Sequence, residues 1–116
     1  MEEEPIANLL IENALEYYEN ALEAEKKKQF NSAVTLFFKA ISALCDCYIL
    51  NMEGKSVSSH SERFKILRSK YLELYNIIDK DFPFYQDSYK IKLNQEVSTI
   101  LKDDVKFLFK KLKVGI

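Results

Sequence analysis

The stretch FNSAVTLFFKAISALCDCYILNMEG, residues 30–54, decides the fold. It carries neither glycine nor proline until Gly54. Phe30, Ala33, Val34, Phe37, Ala40, Ile41, Leu44 and Tyr48 recur at helical spacing, and Phe38, Cys45 and Ile49 widen the apolar band. A helix apolar over so much of its circumference is either central in its domain or covered by a second subunit, so a homodimer is expected here. The helix should end near Met52, because Gly54 supplies the left-handed residue that closes a helix. At its other end, Gln29-Phe30-Asn31-Ser32 reads as a tight corner, with Asn31 or Ser32 as the cap.

The rest of the chain is as poor in backbone punctuation. Pro5 and Pro83 are the only prolines, and Gly54 is the one interior glycine. Strands, turns and long loops usually demand those residues. No segment alternates with period two. The expectation is therefore an all-α fold, an antiparallel up-and-down bundle of four helices, or of five, spanning residues 1–116 as one domain. The first helix runs from Pro5 to Lys28, with Glu2, Glu3 and Glu4 at its positive end and Lys26, Lys27 and Lys28 at its negative end. Ser59-His60-Ser61-Glu62 reads as a capping box opening a third helix that continues to about Asp79. Asp79-Lys80-Asp81 breaks the pattern, and Pro83 starts a fourth helix reaching Lys113, straight or bent.

The bulk numbers exclude some classes of function. Lys and Arg (17) nearly cancel Asp and Glu (18), so nucleic-acid binding by bulk charge is not expected. Cys45 and Cys47 point to nearly opposite sides of a helix and read as buried thiols of a reducing cytoplasm. They form no metal set with the lone histidine, and no cofactor is implied. No signal-peptide pattern opens the chain, and no apolar run approaches the roughly 20 residues of a membrane span. A cytoplasmic protein with no membrane partner is expected.

Candidate chemistry gathers between residues 55 and 70. His60, the sole histidine, opens the third helix and either donates to a ligand or packs locally. Arg63 and Arg68 are the only arginines, and five residues apart they do not closely share a helix face. Each reads as a phosphate ligand or as solvated surface charge. With Lys55, Lys65 and Lys70 they make the stretch locally basic, beside the free N–H groups of a helix start. Lys55, His60, Arg63 and Arg68 are the candidate ligand-binding residues; no catalytic residue is assigned. Tyr71, Tyr75, Tyr85 and Tyr89 surround the next corner, suited to packing or to stacking on a base. Asp103 and Asp104 are adjacent, so their carboxylates diverge by about 100° and make no shared-proton dyad.

The order of features resembles the HEPN family of small helical bundles over roughly residues 14 to 112. The stretch opens with Ala14-Leu-Glu-Tyr-Tyr-Glu-Asn-Ala-Leu22 and turns at Lys28-Gln-Phe30. Ala33-Val-Thr-Leu-Phe-Phe-Lys-Ala40 then leads to a helix end at Gly54, His60 opens the third helix, and Tyr85-Gln-Asp-Ser-Tyr89 lies where the family's fourth begins. The resemblance implies a four- or five-helix bundle and frequent dimers. It also implies either a metal-independent ribonuclease or a non-catalytic partner of minimal nucleotidyltransferases, or a nucleotide-binding module. The ribonucleases carry an Arg, four to six residues, then His on the last long helix. Here the only histidine precedes both arginines, so the nuclease activity is not carried over and only the position of His60 is. Residues 24–43 also look like one tetratricopeptide helix pair, which would make the chain an adaptor for a peptide or helix. A solenoid needs about three such repeats, and residues 58–77 lack the matching small residues. The leading expectation is a non-enzymatic bundle that dimerises and binds a nucleotide or a protein partner.

Overall fold

The computed structural model describes residues 3–116. Glu2, expected to favour the first helix start, lies outside the described residues, as do the side chains of Glu3 and Glu4. The fold is all-α: α1 Glu3–Lys26, α2 Phe30–Glu53, α3 His60–Lys70, α4 Leu72–Asp87 and α5 Gln95–Lys111. The molecule measures 41 × 26 × 20 Å.

α2 is the hub. It packs against each of the other four helices, and Val34, Phe37, Ile41, Leu44 and Ile49 are fully buried along it. Its apolar band is wide because it has neighbours on several sides within one chain. The band therefore needs no second subunit. By length and composition α2 also suffices to cross a membrane, although its apolar runs suggested otherwise. Most of its apolar window is buried inside the fold, as in the core helix of a globular protein.

The connection from α1 to α2 is a three-residue reversal. Lys28 adopts φ 60°, and the N–H groups of Lys28 and Gln29 donate to the carbonyls of Glu25 and Ala24 at 2.9 Å each. This is a Schellman closure with lysine in the place usually given to glycine. It ends α1 two residues before the expected Lys28. The same closure recurs after α5, where Lys113 takes φ 61° and Val114 N–H reaches the Phe109 carbonyl at 2.9 Å. Gly54 closes α2 as expected, at φ 73° with its N–H on the Leu50 carbonyl.

Asn31 does not cap α2, nor does Ser32; Gln29 holds the cap position with no side-chain bond. Asn31 instead reaches across the molecule. Its amide nitrogen donates to the carbonyls of Ser88 (2.9 Å) and Ile91 (2.7 Å), and its oxygen accepts from Leu93 N–H (2.9 Å). Three bonds from one side chain pin the 88–94 connection on α2. Asn31→Ala should lower stability by about 2 kcal/mol, since each bond is worth about 1 kcal/mol and two carbonyls keep partial access to water. Asn31→Asp should cost at least as much, because both donors are lost and a carboxylate faces two carbonyls. Urea unfolding measures both; values within about 0.5 kcal/mol of the parent would show that the connection holds itself.

The second half of the chain departs from the expected boundaries. The third helix stops at Lys70 rather than near Asp79, and α4 then runs through Asp79-Lys80-Asp81 and Pro83. The break is made by Tyr71 (φ −132°, ψ 69°). Its hydroxyl donates to Glu53 at the end of α2, and its ring meets Tyr48 edge-on at 5.3 Å. Pro83 starts no helix. It sits inside α4, where it has no N–H for the carbonyl four residues back, a loss of about 3 kcal/mol that packing must offset. Leu74, Ile78 and Asp81 of α4 are buried, and Phe82 stands against Phe38. A separate α5 begins at Gln95, capped by Asn94, whose side chain accepts from Val97 N–H at 3.1 Å. The helix lengths do not repeat in equal pairs, so no tetratricopeptide period emerges.

Candidate functional site: a groove over the middle of α2

His60 begins α3, and the capping box positions it. Ser59 accepts from Glu62 N–H at 3.1 Å, as expected. The Glu62 carboxylate returns one residue further back than expected, accepting from Ser58 N–H at 2.9 Å and from its hydroxyl at 3.1 Å. One turn on from Ser59 comes Arg63, which is buried rather than solvated, only 8% exposed.

Arg63 makes a bidentate ion pair with Asp46 of α2, Nε to Oδ1 at 2.6 Å and Nη2 to Oδ2 at 2.8 Å. Its Nη1 lies 2.6 Å from His60 Nδ1. A guanidinium can only donate, so Nδ1 is the acceptor, and the ring proton of the neutral imidazole is on Nε2. Burial, followed by the Arg63 charge, holds the His60 pKa below its ordinary 6.5. His60 is thus a neutral Nε2–H donor at physiological pH, with Arg63 as the orienting partner that the sequence did not reveal. Its ring also lies 6.1 Å from that of Phe82.

These groups border a groove of about 270 Å³ over the middle of α2. Lys39, Ser42 and Asp46 line it from α2, Asn13 and Tyr17 from α1, and Tyr85 from α4. Tyr85 is stacked on Phe38 at 4.7 Å and 19°. Lys39 is exposed and has no ion-pair partner among the described residues, while Asp46 and Arg63 neutralise each other. The groove therefore carries one uncompensated positive charge. Ser42 Oγ is enclosed and has no hydrogen-bond partner among the described residues.

The structure splits the four candidate residues. His60 and Arg63 share this groove. Arg68 does not join them, because it lies on another face of α3, in a groove shared with α4. Lys55 stands exposed in the 54–59 loop, near the carboxylates of Glu62 and Glu53. Three of the four tyrosines share one aromatic network, running Tyr75–Phe64–Phe82–Tyr85–Tyr89, while Tyr71 stands apart against Tyr48. Asp46, Lys39 and Ser42 were missed. The signal for the first two was present, since they are charges inside an otherwise apolar helix. Among the described residues no three His, Cys, Asp or Glu side chains gather as metal ligands. Cys45 and Cys47 are free and buried, and burial pushes both thiols up.

Compared with protein-family models, curated proteins and solved structures, the chain finds no match.

Proposed function

We propose that the protein is a non-catalytic helical binding module whose α2 groove takes a small anionic ligand with a planar ring, of the nucleotide class. The observation that carries this reading is the Asp46–Arg63–His60 chain. It fixes a neutral N–H donor beside the unpaired Lys39 cation, on a wall that includes Tyr17 and Tyr85. A cation and an oriented donor suit a phosphate, and the tyrosines suit a base or comparable ring. Among the described residues Ser42 Oγ has no hydrogen-bond partner, so no nucleophile is paired with a base in the groove and the residues support binding rather than turnover.

A thermal-shift series with nucleoside mono- and triphosphates tests the reading. At about 100 times its dissociation constant a ligand adds about 2.7 kcal/mol, several degrees in a domain of this size. Lys39→Ala should erase most of that shift while leaving the unliganded melting temperature nearly in place. His60→Ala should erase it too, at some cost in that temperature because Arg63 Nη1 loses its acceptor. Flat melts with every nucleotide would overturn the proposal. So would a shift that both variants retain.

A further inference from the structure

The groove between α3 and α4 is a second feature, separate from the α2 groove. It measures about 590 Å³. Phe64 and Tyr75 form its apolar part, with rings edge-on at 6.3 Å. Lys65 and Arg68 stand along it one turn apart, both exposed and both without an anionic partner among the described residues. The groove is therefore basic and partly apolar, and it fits an acidic segment carrying an apolar anchor.

The chain itself presents such a segment. Residues 3–25 contain no lysine or arginine. Glu12, Glu16, Glu19 and Glu23 follow one another at helical spacing and are all exposed, forming a ridge on the outer face of α1. Like charges three and four residues apart repel one another and work against the helix. Only Glu23 has an ion-pair partner among the described residues, Lys26 at 3.7 Å. Leu9 continues the ridge toward the N-terminus and is 54% exposed. α1 and α3 do not pack on each other, so the unmatched acids and the unmatched bases lie apart on one molecule. The net charge of −1 puts almost no overall repulsion between copies.

We propose that the α3–α4 groove receives the acidic ridge of α1 from a second copy of the chain. Lys65 and Arg68 face Glu12 and Glu16, and Leu9 reaches the Phe64–Tyr75 edge. This contact differs from the dimer that the width of α2 suggested, since it uses surface that α2 does not supply.

Light-scattering mass of the full chain tests it. At about 20 mM salt, where charges are felt over roughly 20 Å, the mass should exceed the monomer's; at about 0.5 M, where they are felt over about 4 Å, it should fall towards it. The doubly reversed variants Lys65→Glu/Arg68→Glu and Glu12→Lys/Glu16→Lys should each stay single at low salt. All four positions are exposed, and circular dichroism checks that both variants fold. Mixed together, the two should associate again, because ridge and groove are then oppositely charged in both directions. A monomeric parent chain at low salt overturns the proposal. Self-association that survives either reversal, or a mixture that stays monomeric, overturns it equally.

Discussion

Asp81→Asn is expected to stabilise the protein at pH 8 by about 2 kcal/mol, raising the melting temperature by roughly 8 °C. Asp81 sits on α4 with no exposed surface. Neither of its carboxyl oxygens has a hydrogen-bond partner among the described residues. The groups around it are Asp104 of α5, Lys80 beside it on α4, and Cys45 of α2. Lys80 Nζ is 2.9 Å from Asp104 Oδ2 but 3.8 Å from Asp81 Oδ1, so the lysine serves Asp104 first. Burial, then the Asp104 carboxylate, hold the Asp81 proton on well above the usual carboxylate range. With that proton Asp81 is a neutral group beside Asp104; without it, a fully buried charge lies next to a second carboxylate. Asparagine keeps the shape and the donor and has no charge to bury.

The sign of the pH dependence follows. Unfolded, Asp81 loses its proton near 3.8; folded, it keeps it to far higher pH. Between those values the folded chain binds one proton more, so stability falls as pH rises from about 4 towards 9. His60 acts in the opposite direction. Its folded pKa lies below 6.5, so its contribution is present at neutral pH and is lost as pH falls through the folded value. Asp81 is the more deeply buried of the two and dominates above pH 6.5. Urea unfolding across pH 5 to 9 should show a declining parent curve and a flatter one for Asp81→Asn. A variant less stable than the parent at pH 8 would mean that the carboxyl has a partner which the amide cannot keep.

What could be read from the chain was local. The left-handed Gly54, the Ser59 cap and the all-helical course each depend on residues within one or two turns, and the structure keeps them. What could not be read depends on partners far along the chain. Tyr71 breaks a helix because Glu53 and Tyr48 hold its side chain, which no local pattern announces. Proline rules placed a helix start at Pro83, but burial of Leu74 and Ile78 before the expected break and the packing of Phe82 on Phe38 after it carry α4 straight through. Asn31 looked like a cap and pins a connection some sixty residues away. The carboxylate that bears on Asp104 is not its neighbour Asp103 but Asp81, on a helix the spacing could not bring into view. Half of the site followed the same division. His60 and Arg63 were both legible as residues near a helix start. The contact that makes the histidine a donor was not, because Asp46 and Arg63 meet only once α3 packs on α2.

Removing the arginine from that contact should be the most damaging single change to the site. Arg63→Ala leaves the Asp46 carboxylate, 13% exposed in its side chain, without its bidentate partner, and is expected to lower stability by about 3 kcal/mol. The penalty comes from stranding a charge rather than from losing an attractive one. Arg63→Met with Asp46→Leu, which removes both charges and keeps the bulk, should therefore recover most of the loss. Arg63→Lys separates charge from geometry. It keeps the cation but has no fork to bond both Asp46 oxygens and His60 Nδ1 together, so it should still cost about 1 kcal/mol. The imidazole reports independently on the same contact. Without a guanidinium on Nδ1 the ring protonates more readily, and its pKa followed by NMR should rise toward 6.5 in both single variants. If Arg63→Ala costs less than about 0.5 kcal/mol and the His60 titration stays where it was, the ion pair neither holds α3 on α2 nor sets the histidine. The neutral donor on which ligand binding depends would then need another source.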